Sequence, residues 1–170
     1  MRAAIFNVLG PIQDLRVLDL FCGTGALAIE ALSRGAAHAL LVDMDERVLR
    51  VCQRNLDECS VNSQAKVVLR DVRRVLERGP ESFGGPFDLI LLDPPYELAL
   101  EREALELLHE RGWIGEGACV VVERATRDVF DWPAMVASFR DPLYEKVYGD
   151  TSVAFFFGYE PSEQSPAEQA

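Results

Sequence analysis

Five apolar runs of strand length, separated by helix-length amphipathic segments, constrain this chain more than any other feature. The runs are RVLDLF (16–21), HALLVD (38–43), AKVVLR (65–70), FDLILLD (87–93) and ACVVVE (118–123). Between them, ALAIEALSRG reads as a helix ending near Gly35. Val48, Leu49, Val51, Cys52 and Leu56 recur at helical spacing over 45–59, with Asp45 placed to cap that helix. DVRRVLERG gives a short helix, and another is expected over about 99–111. Strands that are apolar throughout, with helices between them, predict a parallel sheet covered on both faces. The last third changes character. PLYEKVYGDTSVAFFFGY holds two β-rich runs broken by Gly149-Asp150, a hairpin signal. The expected fold is α/β, a mostly parallel sheet closed by an antiparallel hairpin.

A length of 170 residues fits one domain. At 49% hydrophobic and 26% charged residues the chain can bury a sizeable core, which excludes disorder throughout. No apolar run approaches the ~18 residues of a membrane span, and no basic-then-apolar leader opens the sequence. The expected location is therefore cytoplasmic, with no membrane partner. YEPSEQSPAEQA at the end has three glutamates and no basic residue. It divides the chain into a domain over 1–158 and an acidic, flexible tail over 159–170. The net charge of −11 argues against a tight, sequence-indifferent grip on nucleic acid and predicts a shallow salt dependence for any RNA binding. Cys22, Cys52, Cys59 and Cys119 show no CxxC spacing, and only His38 and His109 could join them. Buried free thiols are expected, and no metal site.

Chemistry concentrates in two short segments. In DLFCGTGALA, Asp19 lies near the end of the first strand, and Gly23 and Gly25 occupy the turn before a helix. Glycines there permit a tight turn and close approach of a ligand to the helix N-terminus. Gly23, Gly25 and Ala28 also satisfy G-x-G-x-x-A, so a dinucleotide competes as ligand. Asp19 disfavours a pyrophosphate and suits a ligand carrying an ammonium and a sulfonium, such as S-adenosylmethionine. Asp43, ending the second strand, can accept ribose hydroxyls. Asp71 can receive an adenine amino group beside the backbone of Val72, cap the following helix, or do both.

The second segment is Asp93-Pro94-Pro95-Tyr96, directly after LILL. Ligands in open α/β sheets bind beyond the carboxyl ends of strands, where this tetrapeptide falls. Two prolines stiffen the turn and leave carbonyl oxygens without local amide partners. A carboxylate, an aimed carbonyl and an aromatic ring suit a planar base with an exocyclic amine. The lone pair of such an amine is delocalised into the ring. Accepting its two N–H bonds at Asp93 and the Pro94 carbonyl frees that pair, while Tyr96 stacks on the extruded base.

DLFCGTGALAIEALSRGA, LLVDMDERV, DLILLDPPY and EKVYGDTSVAFF, in this order, resemble the RsmD-type 16S rRNA guanine-N2 methyltransferases. The resemblance covers residues 2–157. It implies a Rossmann-like class I methyltransferase with a seven-stranded sheet and helices on both faces. It also implies methyl transfer from S-adenosylmethionine to the 2-amino group of a guanine in small-subunit rRNA, within an assembled or assembling subunit, by a monomer. Asp19, Gly23, Gly25 and Asp43 match the family's cofactor positions, and Asp93, Pro94, Pro95 and Tyr96 its catalytic tetrapeptide. Phe21, Met44, Asp71, Val72 and Asp93 complete the expected cofactor contacts. MRAAIFNVLG resembles the family's first helix entered part-way, so the resemblance implies a chain without the family's basic leader.

Three other readings compete. Asp-Pro-Pro-Tyr equally suits an adenine-N6 methyltransferase of DNA or RNA. A non-catalytic cofactor-binding domain fits the acidic body. An NAD-dependent oxidoreductase leaves the tetrapeptide unexplained. Arg70, Arg73, Arg74 and Arg78 read as a solvated helix face, and Arg124 and Arg127 as better candidates for phosphate contacts. Trp113, Trp132, Leu105, Leu107 and Leu108 read as packing.

Overall fold

The structure is a computed structural model that describes residues 1–95, 100–127 and 130–161. Helix α1 (Arg2–Leu9) leads into β1 (Arg16–Leu20), α2 (Ala26–Ser33), β2 (His38–Asp43), α3 (Glu46–Glu58) and β3 (Ala65–Leu69). Then come α4 (Val72–Leu76), β4 (Phe87–Leu92), α5 (Leu100–Glu110), β5 (Ile114–Ala125), β6 (Phe139–Tyr148) and β7 (Thr151–Tyr159). The seven strands form one sheet in the order β3-β2-β1-β4-β5-β7-β6. The first five pair in parallel, while β7 runs antiparallel to both β5 and β6. The expected hairpin forms with Gly149 in its turn at φ +61°.

Alternation along the strands sorts their side chains between two cores. Leu18, Leu20, Leu40, Val42, Ile90, Leu92, Val120 and Val122 face α4 and α5, where Val75, Leu76, Ala104, Leu105 and Leu108 meet them. Val17, Leu41, Leu89, Leu91, Val121 and Val153 face the other way, onto Ile5, Phe6, Ala28, Ala31, Leu49 and Cys52 of α1, α2 and α3. Trp113 is wholly buried and donates its Nε1–H to the Leu76 carbonyl at 2.9 Å. Trp132 packs edge-on against Phe130 and Phe156. Both tryptophans are packing residues, as expected.

The structure differs from the sequence reading at several places. β3 is an edge strand, so it is only half covered and Leu69 is 52% exposed. β5 begins four residues before the expected strand, because Phe87 already pairs with Ile114 ahead of a register shift. Cys22 and Cys52 are buried, but Cys59 follows α3 on the surface and is exposed. β7 continues to Tyr159, one residue into the expected tail. The buried Tyr159 ring ties it down, with its hydroxyl 2.7 Å from His109 Nδ1. Residues 162–170 of that tail lie outside the described residues. No helix among the described residues is long and apolar enough to cross a membrane.

The chain leaves β1 toward β2 and β3, then crosses back to place β4 on the opposite flank of β1. That reversal opens a crevice beyond the carboxyl ends of β1 and β4, the usual ligand position in such sheets.

Candidate active site

Five segments converge on this crevice. After β1 the chain turns through Phe21, in the left-handed region at φ +59°, and Gly23 and Gly25 at φ +55° and +81°. Asp43 secures the turn. Its Oδ2 accepts the Gly23 N–H at 2.9 Å, and its Oδ1 accepts the Asp45 N–H at 3.0 Å, so one carboxylate joins the turn to the start of α3. Asn55 adds a second tie, donating to the Thr24 carbonyl at 3.0 Å.

The two glycines answer to different constraints. A Cβ at Gly25 would lie 2.6 Å from Cys52 Sγ and 3.2 Å from Leu41, so close packing of α3 and β2 excludes a side chain there. At Gly23 the nearest atom would be Val48 Cγ1 at 3.9 Å, so that side of the turn is open. Of the two, Gly23 has the roomier Cβ side.

Asp19 lies beneath the turn, 1% exposed, and its Oδ2 accepts the Ala28 N–H at 3.1 Å. Burial pushes its carboxyl well above the ordinary range. The Ala28 hydrogen bond opposes this, while Asp93 and Glu123 add to it. That hydrogen bond holds the first turn of α2. Asp71 caps α4 by accepting the Arg73 N–H at 2.9 Å, and the Arg73 guanidinium clamps it with a 2.7 Å bond to Oδ2. That guanidinium holds the Asp71 carboxyl below its ordinary value. Asp71 thus takes up the capping role among those open to it.

Two adjoining cavities fill the crevice. One of about 540 Å³ is lined by Phe21, Asp43, Met44, Asp45, Asp93, Pro94, Pro95 and Leu100. The other, of about 340 Å³, shares Phe21, Met44 and Leu100 and adds Asp71, Val72 and Arg73. Each has the size of a small-molecule site. Together they collect all the expected cofactor residues except Asp19, Gly23 and Gly25, which line neither cavity. Asp93 is exposed at the mouth, with no hydrogen bond to its carboxylate among the described residues, and desolvation by the atoms behind it raises its pKa. Pro94 is buried beside it. Tyr96 lies outside the described residues.

Glu123, at the end of β5, was not among the sequence candidates. It is 4% exposed, and no side-chain hydrogen bond to it is found among the described residues. Burial, and secondarily Asp93, push its carboxyl up to about 7, against a small opposing pull from the α-amino group of Met1. An acidic residue closing an apolar run, as Asp93 closes LILL, was the available signal. Of the arginines considered for phosphate contacts, Arg124 pairs with Glu145 and lies over Trp132, so it is an internal tie. Arg73 is held by Asp71 and Glu103, and Arg74 by Glu77. Arg70, Arg78 and Arg127 are exposed.

Sheet order, the reversed last strand and a crevice between a glycine turn and a double-proline turn together define the Rossmann-like class I methyltransferase fold. The family described as Conserved hypothetical protein 95 matches residues 1–157, and the chain belongs to it, the RsmD family. Ribosomal RNA small subunit methyltransferase D of Escherichia coli is 37% identical over 124 residues, 72% of this chain but only 60% of that protein. The putative rRNA methyltransferase YlbH of Bacillus subtilis is 36% identical across 92% of this chain and 83% of its own length. Among solved structures, the putative methyltransferase yhhF from Escherichia coli superposes with a TM-score of 0.81 at 33% identity, covering 95% of this chain and 86% of that one.

Proposed function

We propose that this protein transfers a methyl group from S-adenosylmethionine to the exocyclic 2-amino group of a guanine in 16S rRNA. The observation that carries this reading is the exposed Asp93 carboxylate, unpartnered among the described residues, beside the buried Pro94 in the lining of the larger cavity. The names of the Escherichia coli and Bacillus subtilis relatives support RNA as the acceptor.

The residues present suit that cofactor. The adjoining cavities give room for its adenosyl and amino-acid ends, and Gly23 leaves the backbone approachable. Asp43 keeps further lone pairs on both oxygens for ribose hydroxyls while holding the turn. Val72 and the capped start of α4 border the adenine end, with Phe21, Met44 and Leu100 as apolar walls. When bound, S-adenosylmethionine supplies a methyl group already activated on a sulfonium. The protein's contribution is then mainly to position the amine. Asp93 and the Pro94 carbonyl accept its two N–H bonds and turn the lone pair toward the cofactor cavity. The stiff double-proline turn fixes both acceptors before substrate arrives. Within the same reading the chain works as a monomer in the cytoplasm, on assembled or assembling subunits, without a metal.

The test is incubation with tritiated S-adenosylmethionine and unmethylated small ribosomal subunits, beside naked rRNA and DNA. Label in N2-methylguanine of subunit rRNA is the expected result. Label in N6-methyladenine, or none in any arm, would overturn the reading. Asp93→Ala should abolish labelling while calorimetry shows cofactor affinity within a few-fold of wild type.

A further inference from the structure

Glu123 has the placement of a functional group that the reading above does not yet use. β4 and β5 run parallel in the register Leu92↔Val122, which brings Asp93 and Glu123 to neighbouring strand ends. Alternation turns both to the face that carries Leu91, Val121 and Asp19, over α1 and α2. Glu123 is 4% exposed and is not paired with a cation among the described residues, so its ionised form is costly there. The titratable groups facing it are Asp93 from β4, Asp19 from β1 and the α-amino group of Met1 ahead of α1. From β7 it meets apolar Val153.

We infer that Glu123 takes up, through Asp93, the proton that the acceptor amine releases during methyl transfer. The inference rests on the proposed methyl transfer to an exocyclic amine. As the nitrogen–methyl bond forms, the carbon–sulfur bond breaks with its electron pair leaving on sulfur. The amine nitrogen then sheds one proton to Asp93, Asp93 passes it to Glu123, and it reaches solvent as the products depart. Carboxylates on adjacent strand ends that face the same side hinder each other's ionisation, so the pair can hold and release one proton near neutrality. Glu123 acts through Asp93 and is a positioning residue. A carboxyl raised to about 7 is ionised only as pH climbs through that value, so the transfer rate falls as pH drops through it.

Two readouts test this. In protein labelled with ¹³C at the glutamate carboxyls, the resonance missing from Glu123→Gln should titrate near 7 in wild type and lower in Asp93→Asn. In single-turnover assays at saturating cofactor, Glu123→Gln should be slower by at least about 10-fold at pH 8 and lack the neutral inflection. Its cofactor affinity and cooperative melting should persist, and Glu123→Asp should restore part of the rate and the inflection. Titration near the ordinary 4.5, or a wild-type rate and pH profile in Glu123→Gln, would overturn the inference. Titration near 7 in a wild type that methylates no RNA would instead overturn the methyltransferase reading, and the relay with it.

Discussion

Gly23 and Gly25 stand two residues apart in one turn, yet substitution separates them. Gly25→Ala forces a methyl against Cys52 and Leu41 in a left-handed backbone, and should cost about 2–4 kcal/mol in urea unfolding. Gly23→Ala meets only an ordinary contact with Val48 and should cost about 1–2 kcal/mol, from the backbone alone. Equal losses at the two positions would contradict this account. Asp43 carries a double duty, bonding the Gly23 and Asp45 amides while facing the cavity. Asp43→Ala should therefore raise the cofactor dissociation constant in calorimetry and lower stability by about 1–3 kcal/mol. A variant with weakened binding and an unchanged melt would separate the two duties. Residue types at these positions could be read from the sequence. Their partners could not, because Asp43 and Gly23 are brought together by strand pairing across twenty positions.

Elements were the most legible level. Asp45 caps α3 by accepting the Arg47 N–H at 2.8 Å, as its place before an amphipathic run implies. The Gly149-Asp150 turn, the short α4 and the apolar β4 also follow from local pattern. Boundaries moved where tertiary pairing prevailed, as at β5, which extends back to Ile114 because Phe87 offers it a partner. The end of β7 is another such case. His109 on α5 and Tyr159 meet across fifty residues and anchor the hairpin to the helix layer. Tyr159→Phe keeps the ring packing and removes that bond, so it should cost about 1 kcal/mol in urea unfolding. No loss would show that the hairpin is held by apolar packing alone.

Across the whole molecule, an excess of acidic residues meets a concentration of raised carboxyls at one end of the sheet. Burial raises Asp19 and Glu123, and desolvation by the atoms packed behind it raises the exposed Asp93, with Glu123 pushed up to about 7 from an ordinary 4.5. Between those two values the folded chain binds more protons than the unfolded one. Stability from this residue is therefore present below about 4.5 and lost as pH rises through 7, about 3 kcal/mol in all. Asp71, held low by Arg73, works in the opposite direction and loses its stabilising effect as pH falls through its depressed value. Urea unfolding at pH 5 and pH 8 should show lower stability at the higher pH, and Glu123→Gln should remove much of the difference. An identical difference in the variant would assign the effect to other groups.

The amino-acid sequence by itself determined which segments become strands, helices and turns, and where the chain offers carboxylates and rigid carbonyls. Those properties depend on residues within one or two turns of each other. Tertiary structure decided what each carboxylate does. It sealed Asp19 under the turn, gave Asp71 to Arg73, left Asp93 open and brought buried Glu123 beside it. Burial and electrostatic neighbours are set by strand order and register, which join residues far apart in the chain, so no local pattern contains them.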